Sequence, residues 1–99
     1  MKKIISYIGF AKRSNNILVG QSQIKHTKKS IYVILVCNSA SDNLKNLAKN
    51  VAVKHNCEWI TTKINLSELT NLPDIKIVAL TDESLSKAII ENKENINLG

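Results

Sequence analysis

The alternation of helix-like and strand-like patterns along this chain predicts an α/β domain, with a mostly parallel or mixed sheet and helices on both of its faces. One run carries most of the weight. Ile31-Tyr32-Val33-Ile34-Leu35-Val36-Cys37 is continuously apolar and rich in β-branched residues, as a central strand covered on both faces should be. Apolar residues at helical spacing flank it, as Ile4, Ile5, Ile8 and Ala11 on one side and Leu44, Leu47, Ala48, Val51 and Ala52 on the other. Length sets the domain count, because 99 residues make one domain and are too few for two.

The elements follow in order. An amphipathic helix opens the chain and leaves at Ser14-Asn15-Asn16. Ile17-Leu18-Val19 is a short apolar run that Gly20 ends. Gln21 to Ser30 reads as a second helix, with Ile24 as its main apolar residue. After the central run, Asn38 to Asp42 is turn and cap chemistry, and either Ser39 or Ser41 caps the third helix. Cys57 to Thr61 is the next strand. Asn65-Leu66-Ser67-Glu68 has the spacing of a capping box and opens a short helix. The Asn71-Leu72-Pro73-Asp74 turn stops it. Ile75 to Leu80 is a fourth strand, and Thr81 or Asp82 caps a last helix carrying Leu85, Ala88 and Ile89. The polar stretch Asn92 to Gly99 reads as a frayed tail.

Composition narrows the function. Lysine and arginine total 14 against 8 acids, a formal net charge of +6, which favours anionic partners. Lys2, Lys3, Lys12, Arg13, Lys25, Lys28, Lys29, Lys45, Lys49 and Lys54 face only Asp42 in the first part of the chain, whereas the remainder is acidic on balance. That asymmetry suggests a positive face. Cys37 and Cys57 form no CxxC pair and no disulfide framework is expected. No apolar run approaches the roughly 20 residues of a membrane span, so the expected location is the cytoplasm. His26 and His55 lie far apart in sequence, so no metal is expected. With glycine only at 9, 20 and 99, no phosphate-cradling glycine loop exists, and no cofactor is expected. Asp82-Glu83 suits a helix N-terminus better than acid–base catalysis. The chain therefore reads as a non-enzymatic binding domain, with a monomer as the favoured state.

One segment has binding chemistry. Gly20 ends a strand and opens a helix, and Gln21, Ser22 and Gln23 set hydrogen-bonding side chains beside the first amides of that helix. Lys25, Lys28 and Lys29 add cations. An RNA site needs both kinds of group, cations to position phosphates and amides or hydroxyls to read base edges. From chemistry alone an ordinary solvated helix accounts for the segment equally well.

The chain resembles the L-seven-Ae/L-thirty-e superfamily of ribosomal proteins, in particular its small YlxQ-like bacterial members. The likeness runs from about Ile8 to Ile90. It rests on Gly9-Phe10-Ala11-Lys12-Arg13, on Gly20 heading a basic helix, on Ile31 to Cys37 followed by Asn38-Ser39-Ala40-Ser41, and on Val78-Ala79-Leu80-Thr81-Asp82. The resemblance implies a three-layer α/β/α sandwich with a small mixed sheet. Many of its members bind kink-turns, RNA stems bent at an internal loop with sheared G·A pairs. There a strand-to-helix glycine begins a Gly-x-Asn-Glu or Gly-x-Lys-Gln motif, to which Gly20, Gln21, Ser22 and Gln23 correspond. Gln23 fits the second form, Ser22 departs from both, and His26 stands where a lysine is usual. A second contact in the family is an apolar loop, here Asn71 to Ile75, which would bring Leu72 and Ile75 to the RNA; both residues fit equally well as core.

The expected function is thus binding to structured RNA, a kink-turn or similar internal loop in ribosomal or regulatory RNA, with the ribosome as a further partner. Gly20 to Gln23 would meet base edges, and Lys25, Lys28 and Lys29 would neutralise phosphates, with Lys12 and Arg13 assisting. The alternative is a protein-interaction module that has kept the fold and lost the RNA site, for which Ser22 and His26 speak.

Overall fold

The computed structural model describes residues 2–63 and 65–92. Nine elements alternate: α1 (Lys2–Arg13), β1 (Ile17–Val19), α2 (Gln21–His26), β2 (Val33–Cys37), α3 (Asp42–His55), β3 (Glu58–Thr62), α4 (Leu66–Thr70), β4 (Ile77–Leu80) and α5 (Glu83–Glu91). The tail expected to fray lies, from residue 93 on, outside the described residues, as does the side chain of Ile4.

The four strands form one mixed sheet in the order β1-β4-β2-β3. β4 runs antiparallel to both β1 and β2, and β2 runs parallel to β3. Every residue of β2 and β4 is buried, which requires cover on both faces. α2 and α3 pack on each other and on one face, while α1, α4 and α5 form the other layer. The result is a three-layer α/β/α sandwich. The core joins Ile8 and Ala11 of α1, Ile24 of α2, Ala48 and Ala52 of α3 and Ile89 of α5 to the strand residues between them. Among the described residues no helix is long and apolar enough to cross a membrane.

Element ends are set by caps. Of the alternatives at each site, Ser41 caps α3, its Oγ accepting from the Leu44 N–H at 3.2 Å, and Asp82 caps α5, accepting from the Leu85 N–H at 2.8 Å. Asn65 caps α4 through the Ser67 N–H at 2.9 Å. Asparagine in place of glycine ends three helices: Asn15, Asn56 and Asn71 all take left-handed backbone, with φ of 60°, 53° and 56°. After each, the next residue's N–H reaches back five positions, Asn16 to Ala11 O, Cys57 to Ala52 O and Leu72 to Ser67 O.

Several boundaries differ from the sequence reading: β2 begins at Val33 and not Ile31, and β3 runs on to Thr62 and not Thr61. α2 stops at His26 and not Ser30, because Ile24 is its sole buried residue and nothing holds the next turn against the sheet. β3 begins at Glu58 and not Cys57, whose N–H already closes α3. β4 begins at Ile77 and not Ile75, whose N–H is taken by Ser67 Oγ at 2.9 Å.

Candidate nucleic-acid interface

The β1–α2 junction is shaped by Gly20. Its φ of 84° and ψ of 160° lie in a region that only glycine occupies readily. Its N–H donates to Ile77 O at 3.1 Å, which ties the junction to the start of β4. The loop from Asn71 to Lys76 leads into β4 at this end of the sheet. Within that loop Leu72 is half-buried beside Pro73. Ile75 is half-buried too and packs against the core.

Gln21, Ser22 and Gln23 are exposed on the first turn of α2. Gln23 does not stand free. Its Oε1 accepts from the Val19 N–H at 2.9 Å, so the side chain folds back over the junction. An N–H donor can be met only by the amide oxygen, which fixes the amide's orientation and leaves Nε2 to donate outward. A bidentate base contact, which would use both amide atoms, is therefore not what this geometry offers. His26 turns its ring onto its own helix, with Nδ1 2.9 Å from Ser22 O.

The cations divide. Lys25 is exposed on α2, one turn from Gln21 and Ser22, and stays near them. Lys28 and Lys29 are exposed but lie past the end of α2, where the chain returns to the start of β2; Tyr32 N–H bonds to Leu80 O at that opposite edge. The length of β2, about 13 Å, separates the two edges. Among the described residues, none of these three lysines has a carboxylate partner. Lys12 is not a free cation, since its Nζ donates to Thr70 O at the end of α4. Arg13 lies back over Gly9 on α1. Both belong to the layer opposite α2, so the basic N-terminal part is shared between two faces and does not make one.

Two lysines that sequence reading left aside join the Gly20 edge. Lys76 immediately precedes β4 and Lys63 immediately follows β3, and both are exposed. Lys76 Nζ donates to Ser39 Oγ at 3.2 Å. The sequence reading put Lys76 inside the fourth strand and Lys63 just past the third; which end of the sheet each occupies follows only from the strand order.

Both thiols are free. Buried Cys37 sits at the end of β2, where its sulfur receives the Leu66 N–H at 3.3 Å. Burial pushes the half-buried Cys57 thiol above its ordinary pKa of 9.0. Since the folded state holds that proton more tightly than the unfolded chain, the stability it contributes is complete below about pH 9 and is lost as pH rises further. Cys57→Ser is expected to flatten the alkaline fall in stability, read from urea midpoints at several pH values. Among the described residues, no three His, Cys, Asp or Glu side chains are grouped as metal ligands.

No family model matches the chain, and no curated protein matches it in sequence. Solved structures do match in fold. One is a protein of unknown function from Bacillus halodurans, with a TM-score of 0.80 and 14% identity over 92% of this chain and 96% of that one. Another is the 15.5kD RNA binding protein of Giardia lamblia, with a TM-score of 0.64 and 9% identity over 94% of this chain and 86% of that one. At these identities the likeness is one of fold.

Proposed function

We propose that this chain binds structured RNA without performing chemistry on it, and that its target is a kinked internal loop of the kind bound by the L-seven-Ae/L-thirty-e proteins, which it resembles. One observation carries the reading. The Gly20 N–H bond to Ile77 O ties the polar turn Gly20 to Gln23 to the first residue of β4, the strand into which the loop holding Leu72 and Ile75 leads. The RNA-binding protein of Giardia lamblia, similar in fold over most of both chains, supports it.

The mechanism follows from the groups present. A-form RNA hides its base edges in a deep, narrow groove, so a small domain reads loops whose bases are splayed. Gln23, held by Val19, offers amide donors to such an edge. Donors suit the O6 and N7 acceptors of guanine better than the mixed edge of adenine. Gln21 and Ser22 extend the polar turn, and Lys25 gives a phosphate contact that adds affinity without reading sequence.

Binding to a kink-turn RNA and to a matched duplex lacking the G·A pairs, at two salt concentrations, tests the reading. Preference for the kinked RNA supports it. Equal binding to both overturns the kink-turn target, and no binding to either returns the alternative of a protein-interaction module. Within that assay Gln23→Glu is informative, because a carboxylate still accepts from Val19 but cannot donate to a base. It is expected to leave the melting temperature unchanged and to cost about 0.5–1.5 kcal/mol in binding to the kinked RNA, the worth of a hydrogen bond.

A further inference from the structure

A second polar surface lies at the other end of the sheet, where Tyr32 N–H bonds to Leu80 O, the last residue of β4. Two clefts open there, of about 700 Å³ and about 390 Å³, and Tyr32, Glu83 and Ile90 line both. The smaller runs along α5, which adds Ser86, Lys87 and Glu91 to its lining. Positions 83, 86, 87, 90 and 91 recur at helical spacing, so one face of α5 forms a wall of the cleft. Tyr32 stands just before β2 and is 37% exposed, enough to offer its ring.

Ser86 is anomalous in the interior. It is 1% exposed, and its Oγ has no hydrogen-bond partner among the described residues. Buried hydroxyls are nearly always bonded, so this one is poised for a group that enters the cleft. The charges choose the group. Glu83 and Glu91 are exposed at the two ends of the α5 face, and Lys87 stands between them; none of the three takes an ion pair among the described residues. Lys28 and Lys29, at the same end of the molecule, line neither cleft. Two carboxylates against one lysine disfavour an anion such as an RNA phosphate. A guanidinium meets every feature, because it stacks on an aromatic face, pairs with a carboxylate and has N–H groups to spare for a hydroxyl. We propose that the smaller cleft receives an arginine side chain of a protein partner, stacked on Tyr32, paired with Glu83 and bonded to Ser86 Oγ. This site is independent of the RNA reading and leaves the Gly20 end free, so the domain can hold RNA and protein at opposite ends.

Titration with a blocked peptide of glycine and leucine around one arginine tests the site, followed by amide NMR shifts with no RNA present. The control peptide has citrulline for arginine, which keeps the shape and removes the charge. The arginine peptide is expected to shift the amides of Tyr32, Ser86 and Ile90 saturably, and the citrulline peptide to leave them in place. Ser86→Ala is expected to melt several degrees higher, since an unbonded buried hydroxyl is removed, and to bind the arginine peptide about two- to tenfold more weakly. Stability gained as binding is lost marks a group kept for its ligand and not for the fold. Tyr32→Leu should weaken binding by about two- to fivefold, the worth of an exposed cation–aromatic contact. Lys87→Gln removes the competing cation and should strengthen binding. Thermal melts establish that each variant is folded. No shift at these amides, equal shifts from the two peptides, or wild-type affinity in Ser86→Ala overturns the site.

Discussion

Gly20→Ala is expected to destabilise the fold by about 1–3 kcal/mol, the cost of forcing a side chain into backbone that suits glycine alone. No atom lies within 4 Å of where the new methyl group would stand, so the cost is in the backbone and not in a clash. The chain relieves that strain by rotating the β1–α2 junction. Rotation breaks the Gly20 bond to Ile77 O and draws Gln23 away from Val19, which are the two bonds that set the base-reading turn. Loss of one base contact, about 0.5–1.5 kcal/mol, would weaken binding to kinked RNA by roughly two- to tenfold. The two effects are measured separately, by urea unfolding and by titration with RNA. A semisynthetic chain with D-alanine at position 20 distinguishes backbone preference from side-chain bulk. The D residue favours positive φ, so it is expected to retain both stability and binding. If L-alanine leaves both unchanged, the junction is not held by glycine's conformational freedom.

Leu35→Ala is expected to cost about 2–5 kcal/mol. Leu35 is fully buried at the middle of β2, between Val78 of β4 and Ile60 of β3, with a helical layer over each face. No neighbour can move in to fill the space without dragging a strand. A domain of this size has about 5–15 kcal/mol in all, so the variant loses a large share of its stability. The urea midpoint should fall with little change in m, which would mark lost stability and not a changed unfolded state. Kinked-RNA binding by the fraction still folded should match wild type, since Leu35 lies in the core and not on the Gly20 edge.

The central strand and the order of the elements were legible because continuous β-branched runs and helical spacing are local patterns. Caps were legible as residue types, and the structure chose Ser41 over Ser39 and Asp82 over Thr81. Boundaries were less so where a tertiary bond claimed a residue, as Ser67 Oγ claims the Ile75 N–H. The candidate site was half legible. Gly20 to Gln23 could be found as a turn with polar side chains, but the Gln23–Val19 bond, which limits what Gln23 can offer a base, could not. Charge misled most. Lys12 and Lys25 sit in opposite layers, whereas Lys63 and Lys76, the same distance apart in sequence, share an edge. Charge along a chain becomes charge on a face only after the strand order is known.

That same strand order bears on how the molecule comes to be made. β2, α3 and β3 form a contiguous parallel unit that a nascent chain can assemble early, but β1 pairs only with β4, more than half the chain further on. Until β4 emerges and inserts between them, β1 is an orphan and one side of the apolar β2 strand offers unpaired backbone. Such an edge invites pairing with other chains. Completion of this sheet is therefore a late event in synthesis, and the interval before it is when the chain is most exposed to aggregation or to chaperone capture.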